Sequence, residues 1–184
     1  MTEDKSLVGP ASIDAAMMPK GVLPIEAFDP TLPVGARLIG IDVGTKTLGL
    51  ALSDVSRMIA SALETIRRTK FKVDVARLLD LASEHRIGGF VVGLPLNLDG
   101  SQGPRAQATR AFARNLANLT PLPILLWDER LSTAEAERML IDADASRRRR
   151  AEVIDKLAAT VILQGALDRM RGMKAAPPTP DSSR

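Results

Sequence analysis

Cysteine is absent from the 184 residues, and histidine occurs once, as His85. Disulfides, thiolate metal sites and cysteine nucleophiles are excluded, and zinc held by imidazoles or a Ser-His-Asp relay lacks partners. Hard-metal chemistry on oxygen ligands remains open. Tyrosine is missing too, and aromatics make up 3% against a hydrophobic fraction of 45%, so the core has to be aliphatic. No run approaches the roughly 18 apolar residues of a membrane span. The N-terminus is acidic where a secretory signal would be apolar, so cytoplasmic residence is expected.

The formal charge of +3 is unevenly spread. Residues 1–34 hold two lysines against five acids, whereas residues 35–170 hold 20 Lys/Arg against 16 Asp/Glu. The second segment is a modestly basic body suited to polyanions, and it is long enough for one domain with its own core. The first contains five prolines by Pro33 and is expected to be a flexible acidic extension, its Met17 and Met18 included. Residues 171–184, rich in Pro and Ser, are expected to be a disordered tail.

Two short apolar runs, Arg37 to Val43 and Thr47 to Ser53, flank a Gly44-Thr45-Lys46-Thr47 turn and predict an antiparallel hairpin. Met58 to Ile66 predicts a third strand. From Phe71 to Arg86, Val75, Leu78, Leu79 and Ala82 fall at helical spacing, with Gly88-Gly89 as the expected stop. Phe90 to Leu94 and Pro123 to Trp127 are apolar throughout, as strands buried on both faces are. Between them Pro104 opens a helix to Leu119. Ser132, with Glu135 at capping-box spacing, opens another helix with Ala136, Met139 and Leu140 on its apolar face. Arg147 to Arg150 interrupts the pattern, and Glu152 to Met170 forms the last helix. The expected fold is α/β: a mixed five-stranded sheet, a three-strand antiparallel meander then parallel strands, with helices on both faces.

Polar clusters follow three of these strands: Asp42, Pro95 to Gly103, and Asp128-Glu129-Arg130. Strand ends are where open α/β sheets place their sites. Ionising Asp42 beside Leu38, Ile39 and Ile41 is costly unless a cation balances it. A fourth acid, Asp155, lies beside Ala158 and Ala159, which are small enough to let a helix approach a sheet. It either reaches the strand ends or sits at the surface, stabilised by the helix dipole. Together these acids would offer oxygen ligands to one or two Mg²⁺ or Mn²⁺ ions, suited to in-line displacement at a phosphodiester.

Leu38 to Asp54, Val91 to Asn97 with Asp99-Gly100, Asp128 to Thr133, and Asp155 to Ala159 resemble, in order and spacing, the motifs of the YqgF/RuvX family. The likeness spans roughly Arg37 to Met170. It implies an RNase H-like fold in a bacterial cytoplasmic protein. The family is described both as a nuclease maturing the 5′ end of pre-16S rRNA and as a Holliday junction resolvase. Carried over by position, the catalytic and metal-binding acids would be Asp42, Glu129 and Asp155. Asp128 is the substitute for Glu129, since strand alternation sends the two to opposite sides.

Lys46, Thr47, Asn97, Ser101 and Arg105 are candidates for phosphate contacts. Arg130 pairs either with an acid or with the scissile phosphate. Arg147 and Arg148, in the run to Arg150, read either as a solvated mobile loop or as a basic clamp whose grip weakens with salt. His85 is expected to exit its helix and Trp127 to fill core. The expected partner is nucleic acid, met by a monomer or homodimer. The RNA-processing reading is preferred. Against it stand a junction resolvase acting on DNA, a non-catalytic nucleic-acid-binding factor in transcription or ribosome assembly, and a phosphate-binding hairpin of the actin and hexokinase type. The last would need a second Asp-x-Gly-Thr, which is absent.

Overall fold

The computed structural model describes residues 18–131 and 147–175. The elements are β1 (Val22–Leu23), α1 (Ile25–Thr31), β2 (Arg37–Val43), β3 (Thr47–Ser53), β4 (Ala60–Arg67), α2 (Phe71–Glu84), β5 (Ile87–Leu94), α3 (Pro104–Ala117), β6 (Ile124–Asp128) and α4 (Arg147–Ala175). One turn of 3-10 helix, Glu129–Leu131, follows β6. The strands lie in the order β1-β6-β5-β2-β3-β4. β2, β3 and β4 form the antiparallel meander, and β2, β5, β6 and β1 run parallel. This is the expected meander followed by parallel strands, extended by one edge strand.

Helices cover both faces because the strands alternate what they present. Ile39, Ile41, Leu48, Leu50, Phe90, Val92, Ile124 and Leu126 join α2 and α3 in one aliphatic core. Leu38, Ala51, Val91, Leu125 and Trp127 join α1 and α4 in the other. Trp127 is the expected core residue, with its ring edge against Gly165.

Three expectations change. The sheet has six strands rather than five, because Val22 and Leu23 pair with Ile124 and Leu125. The segment from Val22 onward is therefore built into the fold rather than forming a flexible extension to residue 34: Phe28 is fully buried, and Lys174 on α4 reaches Asp29 at 3.1 Å. Second, α2 is not stopped by Gly88-Gly89. His85 is its C-cap, and Arg86 makes the exit at φ 54. The two glycines lie inside β5, where a Cβ on Gly89 would fall 2.8 Å from the Phe28 ring and one on Gly88 2.7 Å from Ala36 Cβ. Third, the last helix exceeds its expected bounds at both ends: the backbone of Arg147–Arg150 is helical, the start of α4, and the helix runs on to Ala175, so residues 171–175 belong to it rather than to a disordered tail. Arginine is a good helix former, and no Gly or Pro interrupts the stretch before Gly165. Side chains before Asp155 on α4 lie outside the described residues, as do Met17, the helix expected after Ser132 and the chain beyond Ala175.

What lets α4 lie close to the sheet is the lack of a side chain at three positions of the face it covers. A Cβ on Gly40 of β2 would lie 2.6 Å from Leu163 Cβ and 2.9 Å from the Ala159 carbonyl oxygen. On Gly49 of β3 it would lie 2.1 Å from the Asp155 carbonyl oxygen, and on Gly93 of β5 2.3 Å from Ile162 Cδ1. Small residues on the helix permit half of this approach; the sheet supplies the rest.

Two substitutions test this architecture by thermal or denaturant unfolding. Phe28→Ala removes a fully buried ring and is expected to lower stability by about 3–5 kcal/mol; an effect on the scale of a surface change would place residues 22–31 outside the cooperative unit. Gly49→Ala forces a methyl group against backbone and is expected to cost about 1–3 kcal/mol or more. It would also displace the Asp155 backbone from its place on β3.

Candidate active site

The hairpin turn between β2 and β3 sets the first acid. Gly44 donates its N–H to the Thr47 carbonyl at 3.0 Å, and Arg68 closes the turn from outside: its Nη1 donates to the Gly44 carbonyl at 2.6 Å and its backbone N–H to the Lys46 carbonyl at 2.8 Å. Arg68 drew no attention in the sequence, since a single arginine just past a strand carries no pattern. Asp42 lies one residue before the strand end, on the α4 face together with Leu38 and Gly40.

Strand register brings the other two acids to it. Asp42 pairs across the hairpin with Gly49, the residue on which the backbone of Asp155 rests. On the other side, β5 pairs with β2 up to Ile41↔Val92, so Gly93 comes abreast of Asp42. A Cβ on Gly93 would fall 2.6 Å from Glu129 Oε1. Asp42 thus stands between two glycines, one covered by the carboxylate of Glu129 and the other by the backbone of Asp155. Gly49 and Gly93 are site residues that sequence reading missed: their contribution is empty space, and only the packing shows what fills it.

Electrostatics agree with this proximity. Burial raises the pKa of Asp42, and the negative charge of Asp155 adds to the effect while Arg105 opposes it. Glu129 is pushed up to about 7, first by burial and then by Asp42, again with Arg105 opposing and Asp128 adding. A cation favours the charged form of two half-buried carboxylates set side by side. Arg105, exposed on the first turn of α3, offers part of that charge from the rim.

Asp128 is differently engaged. Arg130 grips it through two parallel bonds, Nε to Oδ1 at 3.0 Å and Nη2 to Oδ2 at 2.6 Å, with its backbone N–H also donating to Oδ1 at 3.0 Å. Of the two roles open to Arg130, the fold uses the acid pair. The Arg130 guanidinium also borders Gly100, 3.4 Å from where a Cβ would stand. This ties the β5–α3 loop to the end of β6. Within that loop Asn97 donates from Nδ2 to Ser101 Oγ at 2.8 Å and from its backbone N–H to the Ser101 carbonyl at 3.0 Å. Asp99 accepts the Ser101 N–H at 2.8 Å, and this bonding lowers its pKa. Asn97 and Ser101 are exposed, so the loop presents a preformed polar rim. Lys46 is exposed on the hairpin turn. Thr47 is not free: its hydroxyl donates to Asp155 Oδ2 at 2.6 Å.

The donor set suits a hard divalent ion, being all carboxylate oxygen and partly buried. Asp42 is adjacent to each of the other two, although among the described residues no three acids or imidazoles are gathered at metal-binding spacing. Asp42 would be the shared ligand, with Glu129 and Asp155 on either side.

The family model described as "RuvX: Holliday junction resolvase" matches residues 36–169. A protein of Bradyrhizobium sp. (strain BTAi1 / ATCC BAA-1182) named "Putative pre-16S rRNA nuclease" is 60% identical over 157 residues, covering 85% of this chain and 98% of that one. A protein of the same name from Beijerinckia indica subsp. indica is 62% identical over 149 residues, covering 81% and 90%. Among solved structures, the yeast mitochondrial Holliday junction resolvase Ydc2 aligns with a TM-score of 0.48 at 12% identity, covering 80% of this chain and 84% of that one. With the family model spanning most of the chain and relatives near 60% identity along almost their whole length, this chain belongs to the RuvX family.

Proposed function

We propose that this protein is a divalent-metal-dependent nuclease that hydrolyses phosphodiester bonds in the 5′ region of pre-16S rRNA, with Asp42, Glu129 and Asp155 as its acids. The observation that carries the chemistry is Asp42, buried at a strand end and flanked over Gly93 and Gly49 by the two other acids. The choice of RNA follows the names of the relatives. Bound Mg²⁺ or Mn²⁺ would supply the Lewis acidity that activates a water and stabilises the leaving oxygen. Asp42 anchors the site, and Asp155 is held beside it by β3. Glu129, with a pKa of about 7, accepts a proton at neutral pH. Lys46 and Arg105 bind backbone phosphates on either side, and Asn97 and Ser101 line the strand's path. No helix among the described residues is long and apolar enough to cross a membrane, and ribosome maturation is work of the cytoplasm.

The family description favours a second reading, cleavage of a four-way DNA junction. Resolution needs two symmetric cuts and therefore a dimer, whereas end maturation is open to a monomer. Cleavage of a pre-16S leader and of a synthetic junction, compared under one Mn²⁺ condition, separates the two, and the leader is the expected substrate. Asp42→Asn should bind the leader like the parent and cut it about a hundredfold or more slowly, the loss of several kcal/mol of charge stabilisation. Cutting at the parental rate would remove Asp42 from the mechanism.

Glu129 generates a paired prediction of opposite sign. Metal binding, which needs the ionised form, should strengthen as pH rises to about 7 and then level off when Mn²⁺ affinity is measured by calorimetry. Stability without metal should run the other way. The folded state keeps the Glu129 proton up to about 7, while the unfolded chain releases it near the ordinary 4.5, so the native state binds more protons in between. The stabilisation is complete below about 4.5 and lost as pH climbs through about 7. In EDTA, the melting temperature of Glu129→Gln should fall less than the parent's between pH 5 and 8, while its cleavage is lost. Equal slopes in the two proteins would contradict the raised pKa.

A further inference from the structure

We propose that Thr47 is a positioning residue for Asp155, holding its carboxylate beside Asp42 for metal binding, and that it is not a phosphate contact. This rests on the metal-site reading above. Three observations carry it. The Thr47 hydroxyl donates to Asp155 Oδ2 at 2.6 Å across 108 residues of chain. A hydroxyl has a single proton to give, so Thr47 bonded in this way has none to offer a phosphate oxygen, which can only accept.

Two residues further along the same face of β3, Gly49 admits the Asp155 backbone. One strand therefore fixes both where the acid sits and which way it turns. The third observation is that two like charges are placed side by side: the Asp155 backbone lies over Gly49, the cross-strand partner of Asp42. An unrestrained carboxylate on a helix would swing away from a neighbouring like charge; the Thr47 bond opposes that swing. The bond uses one lone pair of Oδ2 and leaves the carboxylate able to bind a cation beside Asp42. A hydrogen bond from a residue that does not itself bind metal orients the ligand, as partners behind metal sites do.

The test is Mn²⁺ binding by isothermal calorimetry on the full chain, with leader RNA affinity measured separately in EDTA. Thr47→Val removes the hydroxyl at nearly constant shape, and Thr47→Ala is a second hydroxyl-free variant; those that melt cooperatively in EDTA are used. Thr47→Ser keeps the donor. Loss of the hydroxyl should weaken Mn²⁺ binding about tenfold or more, Thr47→Ser should return it to within about twofold of the parent, and RNA affinity in EDTA should stay within about twofold throughout. In cleavage, the Mn²⁺ concentration for half-maximal rate should rise by the same factor. Parental Mn²⁺ affinity in Thr47→Val, or a loss confined to RNA affinity in EDTA, overturns the positioning role alone. A parent that binds no Mn²⁺ overturns the metal-site reading and this proposal with it.

Discussion

The close approach of α4 to the sheet is the constraint on which the rest of the site depends. Gly40, Gly49 and Gly93, on three adjacent strands, leave gaps among the side chains of the face under α4, and helix atoms settle where Cβ atoms would otherwise stand. Asp155 comes to Asp42 only because of that settlement, since the two are 113 positions apart in sequence. The same device serves Glu129, whose carboxylate occupies the space over Gly93. A glycine row gives up packing area and rigidity. Here it yields a place where three acids from one hairpin, one strand end and one helix can meet.

Bringing acids together stores electrostatic strain. Asp42 and Glu129 are both pushed toward their neutral forms, by burial first and by a neighbouring carboxylate second, Asp155 for Asp42 and Asp42 for Glu129, with Arg105 as a partial counterweight at the rim. A stable fold that carries half-buried, neighbouring carboxylates is consistent with a cation as the missing partner, and it ties metal binding and stability to one titration with opposite signs. Asp128 escapes the strain because Arg130 neutralises it through a bidentate pair. That pair in turn holds the polar loop after β5 against the end of β6, so a salt bridge outside the acid set shapes the site's wall.

Much of the architecture was legible locally. Arg37–Val43 and Thr47–Ser53 were bounded correctly because apolar runs around a Gly-containing turn leave little choice. The start of α2 and of α3 followed from helical spacing and from Pro104 at the first position. What was misjudged depended on distant partners. Gly88-Gly89 has the look of a helix stop but provides clearance, Gly88 for Ala36 and Gly89 for Phe28, residues about 50 and 60 positions earlier. Val22–Leu23 is too short to announce itself as a strand, and only the free edge of β6 makes it one.

Sequence alone determined which chemistry this chain can do. Without cysteine and with a single histidine, oxygen ligands are what remains, and Asp42, Glu129 and Asp155 stand where strand ends and a helix can offer them. Tertiary structure decided what each polar group touches: Thr47 binds Asp155, Arg130 binds Asp128, and Glu129 shares the space of Asp42. The physical reason is range. Apolar periodicity and turn chemistry act within a few residues and are written locally. A hydrogen bond between residues 108 positions apart, or a clash avoided by an absent Cβ, exists only once the elements have packed.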